Sequence, residues 1–230
     1  MKPQPRFGGS RRTWLLRAAG VLGGTAIQAA IGRALAMGDR PPAAGIRSMQ
    51  GEVRVNGRAA APGQLIRPGD VIETSAAGQA VFVVGRDAFL LRAAGRIETG
   101  GREAFIGTLR IVTGKLLSVL GPGERRIETP TATIGIRGTG IYIEAEPERT
   151  YVCTCYGVAD LQARGRPEVR ETVSTQHHEQ PRYIYGGDLK PASGMMGKAP
   201  VINHTDAELI VLESLVGRKP PFVDSGAPRY

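Results

Sequence analysis

Two cysteines, three histidines and two adjacent methionines carry most of the chemistry open to this chain, and all seven fall within residues 153–204. The cysteines stand in the run Tyr151-Val152-Cys153-Thr154-Cys155-Tyr156. On a β-strand, residues two apart face the same side and are separated by roughly 6.6 Å of rise. Both thiols then point into one space, near the upper limit of Cα separation for a disulfide. A metal ion accommodates that spacing more easily. His177, His178 and His204 lie downstream. Cys153 and Cys155 with two of these histidines suit zinc, whereas thiolates with Met195 or Met196 suit copper(I), and iron is a third candidate.

The spacing leaves three readings open. Cys153 and Cys155 can be metal ligands, possible disulfide partners in a strained or redox-active pair, or small buried residues. No Cys-x2-Cys or His-x3-His spacing occurs, so any joint site with His177, His178 or His204 depends on the fold. Adjacent strand residues face opposite sides, so at most one of His177 and His178 reaches the cysteines without a turn. A thiol nucleophile paired with a histidine base is conceivable. Yet there is no Gly-x-Ser-x-Gly elbow, phosphate loop or His-Glu-x-x-His sequence, and the expectation is a protein that is not an enzyme.

The elements that must position these residues read as short β-strands. From Ile46 onward, apolar runs of period two are broken every eight to twelve residues by glycine-containing turns, among them Asn56-Gly57. The triplet Ile-Glu-Thr recurs at 72–74, 97–99 and 127–129, a loose echo consistent with stacked β-arcs. Residues 177–200 are polar and rich in glycine and proline, and read as a loop. Thr205-Asp206-Ala207-Glu208 then has capping-box spacing, followed by apolar residues on one helical face and Gly217. This predicts one helix over 206–216, packed on an all-β body, with a Pro/Gly-rich tail behind it.

The amino terminus has the order of an export signal. Arg11 and Arg12 precede Trp14-Leu15-Leu16, an apolar, glycine-diluted stretch follows, and Ala34-Leu35-Ala36 forms a small-x-small cleavage site. The paired arginines predict the twin-arginine (Tat) route, cleavage after Ala36, a periplasmic destination and no permanent membrane anchor. The expected divisions are a signal at 1–36, a linker at 37–45, a β domain at 46–176 and an extension at 177–230. Six of the 30 basic residues and none of the 21 acidic ones fall in residues 1–36. Cleavage therefore leaves 24 basic against 21 acidic residues, so a formal charge of +9 becomes +3. That balance, with no basic stripe, argues against a nucleic-acid partner.

Two segments carry a family resemblance. Gly51-Glu52-Val53-Arg54-Val55-Asn56-Gly57, with Ile66-Arg67-Pro68-Gly69-Asp70-Val71-Ile72-Glu73-Thr74, resembles the opening of a FecR-like periplasmic domain. Ile127-Glu128-Thr129-Pro130-Thr131-Ala132-Thr133-Ile134-Gly135-Ile136-Arg137-Gly138-Thr139 resembles that domain's most distinctive stretch. The likeness spans roughly residues 46 to 163 and implies an all-β solenoid, roll or sandwich of many short strands. It implies a binding or sensing module in envelope signalling, recognising a small ligand or an envelope protein. Physically, Gly69, Gly135 and Gly138 read as corner residues, Asp70 as a turn acceptor, and Arg137 as the partner of a carboxylate or an anion, with Thr139 closing the motif. Family members that are anti-sigma regulators carry a cytoplasmic segment and a membrane helix. A Tat leader stands in their place here, so the expected role is not that of a transmembrane anti-sigma regulator.

Overall fold

A computed structural model describes residues 44–102, 105–187 and 194–225. The expected signal residues Arg11, Arg12, Ala34 and Ala36 lie outside them. No described helix is long and apolar enough to cross a membrane.

The chain is all-β with one C-terminal helix. Its strands are β1 (Gly45–Gln50), β2 (Val53–Val55), β3 (Arg58–Ala59), β4 (Val71–Thr74), β5 (Gln79–Val84), β6 (Asp87–Leu91) and β7 (Arg96–Arg102). They continue with β8 (Phe105–Val119), β9 (Glu124–Glu128), β10 (Ala132–Ala145), β11 (Arg149–Ala163), β12 (Arg170–Thr175), β13 (Arg182–Tyr185) and β14 (Met196–Lys198). The helix α1 is Asp206–Leu215, and a 3-10 turn, Pro221–Asp224, follows it.

All the strands belong to one sheet, ordered β14-β13-β11-β10-β9-β8-β7-β4-β2-β3, with β1-β5-β6 joined along β8 and β12 along β11. Three long strands carry the architecture. The first part of β10 pairs β9 through Thr133–Arg137, and its second part pairs β8 through Gly140–Ala145. Along its whole length β10 also pairs β11. The step from one partner to the other falls at Gly138-Thr139, inside the motif that carries the family resemblance. There the backbone turns through positive φ at Gly138 (61°) and at the facing Gly157 (95°). A side chain at 157 would meet Thr139 Cγ2 at 2.4 Å, so glycine is required by space as well as by φ.

Beyond this step, over residues 139–145 of β10 and 150–156 of β11, the strands are buried on both faces and read as near-continuous apolar runs. Neighbours along a strand enter different cores. Phe82, Leu116 and Val152 join a main core with Ile72, Ile97 and Ile127. Val81, Leu117 and Cys153 join a second core on the other face, covered by Leu209, Leu212 and Val216 of the helical segment and by Phe222.

The Ile-Glu-Thr echo has a structural counterpart. In each triplet the isoleucine and threonine are buried and the glutamate is partly exposed. Ile72 pairs Ile97, Ile97 pairs Ile111, and Leu109 pairs Ile127. Each threonine hydroxyl donates to a turn carbonyl, at Arg92, Arg67 and Ala132 respectively.

Two expectations change. Residues 177–200 are not simply a loop, because β13 and β14 extend the sheet there, and Tyr183-Ile184-Tyr185 has the β-prone alternation that makes this possible. Gly135 is not a corner, since it lies in regular register between Arg126 and Asp160. Among the other motif residues, Gly69 and Asp70 lie in a turn and Arg137 faces a carboxylate. Gly69 has φ 96°, Asp70 accepts hydrogen bonds from the Arg67 amide and the Asn56 side chain, and Arg137 meets Glu124 at 3.5 Å.

Candidate metal centre

The cysteines sit on β11, an interior strand held between β10 and, on its other side, β12 and β13. The register with β10 slips here, because Tyr156 pairs Gly140 while Thr154 pairs Ile141 and leaves Cys155 as the extra residue of a bulge. A bulge re-aims side chains and bends its strand. Consequently the adjacent residues Cys155 and Tyr156 both enter the second core, beside Cys153. Gly140 makes room for this, since a Cβ there would lie 2.4 Å from the Tyr156 ring.

His178 reaches the same place from the turn that follows β12. Its φ is +61°, and its amide donates to the carbonyl of Cys155. His204 arrives one residue before the helix N-cap, Thr205, which forms the expected capping box with Glu208. The helix closes with the amide of Gly217 donating to Ser214 and that of Arg218 to Glu213, the pairing of a Schellman end.

Cys153, Cys155, His178 and His204 each bring one ligand atom into a group whose members lie within 4.8 Å of one another. Cys153 Sγ is 3.4 Å from His178 Nδ1, which is 3.0 Å from His204 Nε2. For metal–ligand bonds of roughly 2.0–2.3 Å, a tetrahedral S2N2 site has edges of about 3.3–3.8 Å. The Cys153–His178 edge falls in that range and the His178–His204 edge is slightly shorter. The cysteines are 0 %, His178 2 % and His204 6 % exposed, so the site is closed.

The outer partners fix the two rings. His204 Nδ1 lies 2.6 Å from the carbonyl of Ile202, so it carries the proton and leaves Nε2 as a lone pair. His178 Nε2 lies 3.1 Å from Asp206 Oδ1, which places its proton there in the neutral ring and turns the Nδ1 lone pair inward. Two nitrogen lone pairs and two sulfurs therefore face one another in a buried space. Tyr142 stacks on His204 at 4.5 Å between ring centroids and forms part of its wall.

Titration follows this geometry. A hydrogen bond with Cys155 and, against burial, the His178 and His204 imidazoles pull the Cys153 thiol down to about 4. Burial and the neighbouring Cys153 push Cys155 up. Burial disfavours the His178 cation, but Cys153 and Asp206 outweigh it and the net shift is upward.

His177, the fifth expected ligand, stands apart from the four. Its Nε2 is 2.9 Å from Asp206 Oδ1 and its ring lies 4.4 Å from Phe222. With His178 and Asp206 it forms an adjoining three-residue group. Both cysteines are free thiols rather than a disulfide. Met195 and Met196 pack against the main core, on the opposite face from the thiols, which removes them from a copper(I) set. Asp206 is the member that sequence reasoning missed. Its only signal was its place in the first helical turn beside the cap.

Away from this centre, a groove of about 520 Å³ crosses the sheet face between Arg126 and Arg170, with Gly135 and Asp160 in its lining.

No protein-family model and no curated protein matches the chain. Two crystal structures of a candidate anti-sigma factor from Parabacteroides distasonis, at 1.65 and 2.50 Å resolution, are similar in outline. Each is 12% identical, with a TM-score of 0.45 over 56% of this chain and 58% of its own length. The likeness thus spans little more than half of either protein.

Proposed function

We propose that this protein is a non-enzymatic, FecR-like envelope module built around a closed zinc site formed by Cys153, Cys155, His178 and His204. The observation that carries the reading is the convergence of two sulfurs and two imidazole lone pairs in one buried space, each ring held by an outer acceptor. Four protein ligands in tetrahedral reach, with no open coordination position, are the mark of a structural rather than a catalytic zinc site. A mixed S2N2 set also favours zinc over the all-oxygen cages of magnesium or calcium. The Tat leader read from the sequence supports export to the periplasm, in keeping with a chain that folds around its metal before transport.

Cobalt(II) substitution tests the assignment. The protein reading predicts one equivalent of cobalt with the intense visible bands of a tetrahedral site and a thiolate-to-cobalt charge-transfer band. Both are lost in Cys153→Ser/Cys155→Ser. Weak octahedral bands, or thiolate-free spectra, contradict it.

A further inference from the structure

Resting on the metal reading above, we infer that metal occupancy acts as a clasp that holds residues 204–225 over the second apolar face of the sheet, so that the docked and undocked states are metal-dependent.

The ligands divide between a rigid body and a docked segment. Cys153 and Cys155 belong to β11, an interior strand hydrogen-bonded on both sides. His204 belongs to the covering segment and immediately precedes the N-cap of α1. Asp206, the first residue of α1, receives His178 from the body. Metal coordination therefore links the entry of the helix to the middle of the sheet.

What the segment covers is apolar. Val81, Val83, Leu90, Leu117 and Val119 form a face closed by Leu209, Leu212, Val216 and Phe222. The occupant of this docking surface is the chain's own helix. That helix has ten residues, too few to persist in water by themselves. Its polar ties include Arg92 to Glu208 at 2.8 Å, Asn203 to Glu144 at 2.7 Å, Arg218 to the Arg86 carbonyl at 2.7 Å, His177 to Asp206 at 2.9 Å, and Tyr156 to Glu213. Emptying the centre leaves the sulfurs and imidazoles buried without their common cation. Undocking the segment returns His204 and Asp206 to water and relieves that cost.

Coupling of this kind is reciprocal. Docking must strengthen metal binding by the same factor by which metal binding strengthens docking, so a change that loosens the helix without touching a ligand weakens metal binding by up to that factor. Leu212, on the buried face of the helix, is such a position.

The experiment is hydrogen exchange by mass spectrometry on the mature protein, zinc-loaded and after chelation, with zinc affinity measured for wild type and Leu212→Ala. The clasp predicts at least about tenfold faster exchange in 204–225 on chelation, with β8, β10 and β11 protected as before. It also predicts at least about tenfold weaker zinc binding in Leu212→Ala. Stoichiometric zinc with unchanged exchange in 204–225, or with Leu212→Ala binding as wild type, overturns the clasp and leaves the metal site standing. Uniformly faster exchange overturns it too, because the metal then supports the whole fold. Failure to bind zinc at all removes the metal site and the clasp together.

Discussion

At the scale of single residues, the centre shows how far side-chain type can be read without a fold. Cys153 and Cys155 announce themselves by spacing on a strand, and the three histidines are conspicuous because the chain has no others. Strand parity would bring at most one of His177 and His178 to the cysteines without a turn; both lie in a turn, and its positive φ at His178 brings that residue into the group. Nothing in the sequence tells which ring nitrogen faces the sulfurs. That choice is made by Asp206 and by the Ile202 carbonyl, neighbours that only the fold supplies. Outer partners of this sort tune affinity, so Asp206→Asn is expected to weaken metal binding by roughly 10–100-fold in a chelator competition while keeping the stoichiometry. Thr205→Ala removes the helix cap and is expected to cost about 1 kcal/mol of stability in denaturant titration.

At the scale of elements, long strands with local irregularities do the positioning. The bulge at Cys155 turns two successive side chains toward the second core, and Gly140 leaves the space that Tyr156 fills. Tyr156 is also held from the far side by Glu213, so its ring cannot simply swing away. Gly140→Ala is therefore expected to lower stability by about 1–3 kcal/mol in equilibrium unfolding, the usual cost of overpacking. The sequence announced such elements unevenly. Asn56-Gly57 marked its hairpin, and the helix from Asp206 ends within a residue of its expected limit because cap and stop signals are local. The strands β13 and β14 were hidden by flanking glycines and prolines. β13 pairs β11 and β14 pairs β13, and no local pattern reports either pairing.

At the scale of the whole molecule, one sheet carries two cores, and separate polar devices secure different parts of it. Asp87 and Arg125 are both buried, joined by two hydrogen bonds of 2.9 and 3.0 Å, and the Gly121 amide donates to the same carboxylate. Burial raises the Asp87 carboxyl above its ordinary value despite these partners, so the group is held under real desolvation. Arg125→Ala strands it, and the expected loss is about 3–5 kcal/mol of global stability with metal stoichiometry unchanged. The cysteine–histidine cluster lies in the second core, on the other face. The all-β class and the covering helix were legible from alternation and caps, whereas the convergence of β11, the turn after β12 and the helix entry was not. It depends on which strands neighbour one another, and short-range patterns carry no record of that.

The central claim is that Cys153, Cys155, His178 and His204 hold a zinc ion. The direct measurement is elemental mass spectrometry of the mature protein purified without a metal-affinity tag, beside the Cys153→Ser/Cys155→Ser variant. The account predicts close to one zinc per chain in the first and none in the second. A metal-free wild-type protein, or zinc retained by the variant, contradicts it.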